Sequence, residues 1–521
     1  MRKNYRRGAV VLATMALAGG SLAACGGGSG GGAGGSRVVI GIVQVPHTLD
    51  PQQVSDIQND EAITSMYDTL VTFDANGKLV SGLSTSWEYA PDGKSISFTL
   101  HDGAKFHSGN PVTAADVAYT LNRIKKVNTG VAAYMQDFAS ATATDGTHLT
   151  ISLTQPDLQF IGVLSKVYIL DSKLVGQHEG SDDAQSWLAT NDAGSGPYDL
   201  AGYKANSNLD LTLDTSYWNY DATRPQNLDF RYIAENSTLA SELRNGGVDV
   251  VAQLDATNLK QFQNNPSYKV TVLPTLNETM VIMNTAGGVT ADPRVREAIQ
   301  LAYDYQGHLS TILGGAGQVA TGLVSPAVAC GVHGAPSAQN VAKAKQLVQD
   351  AGATGKSLTL MYQPVFQEHT QAATLLQTDL KAIGLNLTLK QVTFPQYLQM
   401  VSSADTEPDL AMVWDSPNYP QIGAWLQQRF ASKSIGTTNL ARYSNPQADK
   451  LIAAGAEATD ATTACSDFNQ AQHLILDDHV AVTIANPATP VVTDAKVKPF
   501  GFDPSFVIFN PKLIRLASGA N

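Results

Sequence analysis

Basic residues, zinc-type ligand spacings and long apolar runs are scarce in this chain of 521 residues. Its 34 lysines and arginines are outnumbered by 46 acidic residues, a balance that favours no nucleic-acid partner. With three cysteines and ten histidines, no spacing typical of a zinc site occurs, so we expect no metal and no cofactor. After residue 24, no segment is apolar enough to span a membrane.

The amino-terminal 36 residues predict export and anchoring. Residues 1–24 combine a basic start with a short apolar run, as a signal peptide does. The following Cys25 completes a Leu-Ala-Ala-Cys sequence similar to the lipobox of bacterial lipoproteins, in which the cysteine is lipid-modified; the alternative is an ordinary signal with a chance cysteine. Residues 25–36 are mostly glycine and predict a flexible tether. Removal of residues 1–24 takes away four basic residues and no acidic one, which changes the net charge from −12 to about −16.

The remaining cysteines, Cys330 and Cys465, are candidates for a disulfide, because an exported protein works in an oxidising compartment. The alternative is two buried free thiols. With 43% hydrophobic residues, a chain of this length has the material for two or three domains.

Periodicity indicates a mixture of strands and helices. Alternating apolar residues predict strands at 37–45, 95–100, 148–154 and 208–214, and turn residues precede two of them at Asp92-Gly93 and Asp145-Gly146. Helical stripes follow Thr113, Asp292-Pro293 and positions 341 and 372, and strand-like runs at 357–362 and 385–392 follow the last two helices. The carboxy-terminal half is therefore typical of α/β layers, and residues 80–160 are mainly strand and turn.

Three apparent catalytic or metal motifs fail on context. Gly27-Gly28-Ser29-Gly30-Gly31 has the spacing of a serine-hydrolase elbow but lies in the glycine tract. Gly355-Lys356-Ser357 lacks the first glycine of a phosphate loop and follows a helix instead of a strand. His473 and His479 are six residues apart on a predicted helix and project to different faces.

The segment Ser81–Ile124 resembles the signature of the family 5 extracytoplasmic solute-binding proteins, the peptide- and nickel-binding components of ABC importers. Similar residues fall in family order at Trp87, Asp92-Gly93, Phe98, Leu100, Gly103, Lys105-Phe106-His107, Gly109, Pro111, Thr113 and Asp116-Val117. Further landmarks are Tyr67-Asp68-Thr69-Leu70, Gly194–Tyr198, Glu242–Asp249, Asp292–Ala298 and Tyr443–Pro446.

This resemblance implies an α/β, two-lobed periplasmic-binding-protein type II fold with an extra, mainly-β subdomain. We expect domain I to comprise residues 37–69, 191–285 and 487–521, domain II residues 70–190, and domain III residues 286–486.

The resemblance also implies a ligand site, with one departure from the family pattern. Peptide-binding members carry an aspartate–tyrosine pair after a tryptophan, whereas here Asn418 precedes Tyr419, so the anchor carboxylate is displaced or absent. Asp415 is a candidate to replace this anchor carboxylate; the alternative is a turn or helix-cap residue. Trp414 and Tyr419 are candidates to stack on or grip the ligand; the alternative is that they are core aromatics. The other predicted ligand-binding residues are Val45, His47, Asn284 and Asn486; the alternative for His47 and both asparagines is an ordinary loop role.

The resulting prediction is a monomeric, lipid-anchored substrate-binding protein on the outer face of the cell membrane, not an enzyme. We expect it to pass a small solute, most simply a peptide, to an ABC permease with its ATPase. The alternatives are a nickel chelate or an oligosaccharide as ligand, a surface-anchored hydrolase, and a sensor that binds without transport.

Overall fold

The computed structural model describes residues 36–43, 46–53, 57–252, 254–506 and 508–517. The predicted signal peptide, Cys25, nearly all of the tether and Val45 lie outside the described residues. In the part of the chain that is described, no helix has the length and hydropathy needed to cross a membrane.

Strands form most of the sheet framework. They are β1 (Arg37–Ile42), β2 (Val71–Phe73), β3 (Leu79–Ser81), β4 (Ser84–Tyr89), β5 (Ser95–Leu100), β6 (Phe138–Ala143), β7 (His148–Leu153), β8 (Tyr198–Lys204), β9 (Asn208–Leu213), β10 (Asn227–Tyr232), β11 (Val250–Ala252), β12 (Tyr268–Leu273), β13 (Glu278–Met283), β14 (Gly317–Val319), β15 (Ser357–Tyr362), β16 (Asn386–Gln391), β17 (Leu410–Asp415), β18 (Ala481–Pro487) and β19 (Thr489–Asp494).

Helices cover the faces of these sheets. They are α1 (Ile57–Ile63), α2 (Ala114–Val127), α3 (Phe160–Val163), α4 (Ser172–Gly176), α5 (Gln185–Leu188), α6 (Asn236–Arg244), α7 (Ala256–Leu259), α8 (Pro293–Ala302), α9 (Tyr305–Gly307), α10 (Val341–Asp350), α11 (Gln367–Ala382), α12 (Phe394–Val401), α13 (Gly423–Phe430), α14 (Pro446–Glu457) and α15 (Ala461–Asp477). Short 3₁₀ helices span Thr64–Met66, Gly130–Tyr134, Leu164–Lys166, Val289–Ala291, Ser432–Ser434 and Pro511–Leu513, and a π-helical turn spans His308–Ile312.

Two large mixed sheets organise the chain. The first has the order β12-β19-β11-β1-β10-β9-β8, with β1 parallel to β10 and β11. The second has the order β14-β18-β13-β17-β15-β16, with β15 parallel to β16 and β17. Both sheets are buried on two faces: in β17, Leu410 and Met412 pack in one core and Ala411 and Val413 in another. This architecture confirms the predicted α/β class.

A smaller antiparallel sheet, β4-β5-β7-β6, forms a separate core with α2. The helix begins with a capping box, because the Thr113 backbone N–H donates to the Asp116 side chain at 2.8 Å while Asp116 occupies the third helical position. Hairpin turns at Asp92-Gly93 and Asp145-Gly146 join β4 to β5 and β6 to β7. This sheet lies within residues 84–153 and is mainly strand and turn apart from α2.

Two crossover segments connect the large sheets. Residues 274–277 lead from β12 in the first sheet to β13 in the second, and Ala488 lies between β18 and β19 on the return. Strand β13 pairs with β17 and β18 and so belongs to the second sheet. The division into three domains stays a prediction.

Cys330 and Cys465 are disulfide-bonded, with their Cα atoms 5.1 Å apart. The bond joins the long segment between β14 and α10 to helix α15. Gln472 on the same helix reinforces the attachment, since its side chain bonds the Val332 N–H at 2.9 Å and the Cys330 carbonyl at 2.8 Å.

Candidate functional site

A groove of about 740 Å³ lies beside the crossover segments and is lined from both large sheets. The parallel strands β15 and β17 end at the same edge of the second sheet, and this edge is where α/β proteins place their ligands. Residues that line the groove include Asn236, Asp255 and Lys260 from the first sheet's connections, Asn277 from a crossover, and Glu368 and Trp414 from the second sheet's side.

Trp414 presents an aromatic face to this groove. It continues the row of Leu410 and Met412 along β17, but it stands at the strand's end, where the core stops, and remains 37% exposed. Its ring lies 4.7 Å from that of Phe366 and 5.4 Å from that of His369, measured between centroids. These neighbours hold the indole in place and leave part of it open to a ligand.

Glu368, in the first turn of α11, lies next to Trp414 in the same wall of the groove. The Thr279 hydroxyl donates to its carboxylate, and His308 Nε2 lies 3.3 Å from Oε1. Burial by itself would raise the pKa of Glu368, but the adjacent His308 ring, the Thr279 hydroxyl and the Trp414 side chain outweigh it and lower the pKa. Glu368 is therefore ionised at neutral pH.

His369, the next residue along α11, is neutral at that pH. Its side chain is fully buried, and burial lowers its pKa to about 4. It therefore brings no positive charge to Glu368 and acts as a flat packing partner for Trp414 and Phe366.

Asp415 points to the opposite face of β17 and is engaged by Arg429. Arg429 Nε donates to Asp415 Oδ2 at 2.6 Å and Nη2 donates to Oδ1 at 2.9 Å. Asp415 is only 7% exposed, and both of its carboxylate oxygens accept hydrogen bonds from Arg429. Asp415 is thus a poor substitute for the displaced anchor carboxylate.

Glu278 faces Asp415 across the β13–β17 pair, and it is 1% exposed. Burial raises the pKa of Glu278 well above its ordinary range, and the negative charge of Asp415 raises it further. The Asn486 amide, which donates to Oε2 at 3.0 Å, lowers the pKa but does not outweigh burial. Burial thus favours the uncharged form of Glu278. Asn486 stands near the end of β18, beside the crossover at Ala488.

The other predicted site residues are dispersed. Asn284 follows the far end of β13, where its N–H bonds the Asp409 carbonyl at 2.9 Å, because β13 begins at the crossover instead of ending there. Asn284 therefore lies at the end of β13 that is away from the crossover segments. Tyr419 is 4% exposed and packs in the core of the small sheet, while Asn418 and His47 are exposed.

Sequence reasoning missed Glu368, Glu278, Thr279 and Arg429. The only sequence signal for Glu368 as a site residue was weak: it is an acid in the first turn of a helix that follows a strand. Glu278, at the head of the otherwise uncharged run Thr279–Met283, was a stronger one, since a lone acid at the start of such a strand must be buried or bound.

His107, Asp192 and Asp199 bring three possible metal-ligand atoms within 4.8 Å of one another. His107 Nδ1 lies 2.6 Å from Asp192 Oδ2, and Nε2 lies 2.9 Å from the Gly196 carbonyl oxygen. Burial alone would lower the pKa of His107, but Asp192, Asp199 and the Gly196 bond raise it to about 9. A metal ligand must be a neutral imidazole, whereas His107 with this pKa is protonated at neutral pH. The cluster is therefore an ion pair that connects the loop containing His107 to residues 192–199.

This ion pair predicts a pH-dependent stability. Because the pKa of His107 rises from 6.5 unfolded to about 9 folded, its contribution is complete below about pH 6.5 and is lost as the pH rises through 9. The shift corresponds to about 3 kcal/mol in the free energy of unfolding. Urea unfolding from pH 6 to 10 should show this loss of stability in the wild type and not in His107→Gln. The control is His148→Gln, which removes the exposed His148–Asp145 pair and should keep the wild-type pH profile. A parallel pH profile of wild type and His107→Gln would contradict it.

Comparison with known proteins adds three findings. The family described as bacterial extracellular solute-binding proteins, family 5 middle, matches residues 78–437. The probable D,D-dipeptide-binding periplasmic protein DdpA of Escherichia coli K12 is 28% identical over 480 residues, which cover 90% of this chain and 92% of that protein.

Solved structures share the fold at lower identity. Helicobacter pylori DppA in complex with the peptide STSA superposes with a TM-score of 0.74 at 21% identity, covering 92% of this chain and 98% of that one. Brucella suis NikA in complex with Fe(III)-EDTA gives a TM-score of 0.81 at 20% identity, covering 92% and 100%. One fold thus accommodates a peptide in one protein and a metal chelate in another.

Proposed function

Since this chain belongs to the bacterial extracellular solute-binding proteins of family 5, we propose that it captures a di- or oligopeptide outside the cytoplasm and delivers it to an ABC permease. The permease would act with its ATPase subunits, and the binding protein itself would work as a monomer and turn nothing over. Closure of the two large sheets around the groove would signal that the site is occupied.

The observation that carries this proposal is the groove lined from both sheets. A ligand in the groove would contact Trp414 on one side and the loop around Lys260 on the other. Its binding free energy would be most favourable when the two sheets approach, because closure removes water from both sets of contacts. The two crossover segments are the natural hinge, since they are the points at which the main chain passes between the large sheets.

Peptide is the preferred ligand class for two reasons. The relative DdpA carries a dipeptide-binding name. The groove also joins an aromatic face to an ionised carboxylate, which suits a ligand with apolar side chains and an ammonium group. A nickel chelate or an oligosaccharide is the second candidate, because Asn418 stands where peptide-binding members have an aspartate.

A surface-anchored hydrolase is less well supported. It would need a nucleophile with an adjacent base in the groove. Of the carboxyl groups at this edge that the structure describes, Asp415 is held by Arg429 and Glu278 is buried and bonded by Asn486. Glu368 accepts from Thr279 and lies 3.3 Å from His308 Nε2. A sensor with the same fold would bind the same ligands and differ in its protein partner.

The proposed location is the outer face of the cell membrane, with Cys25 lipid-modified and residues 25–36 as the tether. Replacing Cys25 with alanine should release the protein from the membrane fraction. Retention of Cys25→Ala in the membrane fraction at the wild-type level would refute the anchor.

Thermal unfolding with three ligand sets tests the function. The protein lacking residues 1–25 is mixed with an equimolar mixture of dipeptides, a nickel–histidine chelate, or malto-oligosaccharides. We expect stabilisation by the dipeptides only, of about 2.7 kcal/mol when the bound species reach a hundred times their Kd. Stabilisation by the chelate or the sugars alone would move the assignment to that class, and steady hydrolysis of the dipeptides would overturn binding as the function.

A further inference from the structure

A second cavity, of about 180 Å³, lies between the small sheet and the helices that cover the second sheet. One wall comes from residues 133–137 and 155–159, which flank β6 and β7, and the other from α13 and the segment after it. The walls meet where the Gln159 side-chain oxygen accepts the Gly423 N–H at 2.6 Å. Among the described residues, none lines both this cavity and the groove beside the crossover segments. A space of this size holds roughly six waters or one small organic molecule.

Two carboxyl groups, Asp137 and Asp157, line this cavity. Among the described residues, no lysine, arginine or histidine forms an ion pair with either of them. Oδ1 of Asp157 accepts the N–H groups of Gln159 and Phe160 at 2.8 and 3.1 Å, while Asp137 accepts only a long bond from the Thr154 hydroxyl, at 3.4 Å. Burial, together with the negative charge of Asp137, raises the pKa of Asp157 to about 6. A cation in the cavity would offset both effects.

The Tyr419 hydroxyl is a further polar group of this cavity. Tyr419 lines the cavity and is 4% exposed, and its hydroxyl makes no hydrogen bond to any residue that the structure describes. Burial raises the pKa of Tyr419, and the charges of Asp157 and Asp137 raise it further, so the hydroxyl lies near both carboxylates. A buried hydroxyl without a partner is unfavourable, and a ligand that donates a hydrogen bond to it would remove that cost.

These groups define what the cavity can bind. The carboxylates and the Tyr419 oxygen all accept hydrogen bonds, and the aromatic rings of Tyr134 and Tyr419 attract positive charge. Lys433 also lines the cavity, but it is exposed, and none of the ion pairs of the described residues joins it to Asp137 or Asp157. An ammonium group would satisfy both the acceptors and the negative charge, whereas an anion would satisfy neither.

We propose that this cavity is a second binding site, which takes a small aliphatic amine through hydrogen bonds from its ammonium group to Asp137, Asp157 and the Tyr419 hydroxyl. The site is separate from the groove and does not rest on the proposed function. Because its walls come from the small sheet and from α13, a bound amine favours the contact between them. Tyr419, which the family resemblance placed at the solute, thus serves a different ligand.

Isothermal titration calorimetry with two matched probes tests this site. Putrescine, a four-carbon diamine, carries the ammonium groups, and butanediol is its uncharged counterpart of similar size. The purified wild type, Tyr419→Phe and Asp157→Asn are compared with two control variants at exposed positions, Tyr220→Phe and Asp102→Asn. We expect the wild type and both controls to bind putrescine at least about 10-fold more tightly than butanediol. Asp157→Asn should weaken putrescine binding roughly 10- to 100-fold, and Tyr419→Phe roughly 3- to 10-fold.

Each contrary result overturns the amine site. Equal binding of putrescine and butanediol, or heat from neither, would refute it. Unchanged putrescine affinity in Tyr419→Phe would place the amine elsewhere, and this variant decides even if Asp157→Asn fails to fold, because phenylalanine keeps the ring in the core. An excess of the dipeptide mixture should leave putrescine binding unchanged; displacement would put the amine in the groove and refute the second site while peptide binding stands. A wild type that binds putrescine but no dipeptide would overturn the proposed function alone.

Discussion

Replacing Arg123 with methionine is expected to lower the free energy of unfolding by about 3–5 kcal/mol. Arg123 on α2 donates to both oxygens of Asp50, at 3.1 and 2.7 Å, and to the Asp183 carbonyl at 2.7 Å. The side chain of Asp50 is 0% exposed, so methionine would leave a buried carboxylate without its cation. The same substitution should loosen loop 46–53, which α2 holds in place.

The matched control is Arg294→Met on α8, where Arg294 pairs with Asp292 at the surface and is 51% exposed. Because water replaces an exposed partner, this variant should unfold like the wild type. Urea unfolding of both variants, with the double variant Arg123→Met/Asp50→Asn, measures the effect. The double variant should recover part of the loss. Equal behaviour of Arg123→Met and Arg294→Met would contradict the importance of this pair.

Removal of the Cys330–Cys465 disulfide is expected to cost about 2–5 kcal/mol, because the bond closes a long loop and limits the unfolded chain. The two cysteines are separated by 135 residues, near the upper end of that effect. The segment that the bond holds also supports the loop after β17, since the Ala329 N–H bonds the Pro420 carbonyl at 3.0 Å. We therefore expect weaker ligand binding as well as lower stability.

The experiment compares wild type with Cys330→Ser/Cys465→Ser, each with and without dithiothreitol, by urea unfolding. Reductant should bring the wild type to the level of the double variant and leave the double variant unchanged. A wild type that is insensitive to reductant and as unstable as the variant would mean that the bond does not form.

The secondary structure follows closely from the sequence where its signal is local. Strands β5 and β15 have the predicted bounds, because their alternation is confined to six residues. The capping box of α2 was equally legible, since Thr113 and Asp116 lie three residues apart.

The site was less predictable because its residues meet across strands. Trp414 was predicted through the family resemblance, yet its neighbour Glu368 lies 46 positions earlier in sequence and joins it only when β15 and β17 pair. Tyr419 follows Asn418 in the loop after β17 but packs in the small sheet's core, which no pattern around it indicates. Asp415 and Glu278 likewise bond to Arg429 and Asn486, partners that only folding brings near.

Mass spectrometry of the small molecules released from the protein, after purification from its native cells without denaturation, tests the central claim most directly. The account predicts intact di- or oligopeptides, in near-stoichiometric amounts. Recovery of a metal chelate or an oligosaccharide in their place, or of cleaved products when an intact peptide is supplied, would contradict it.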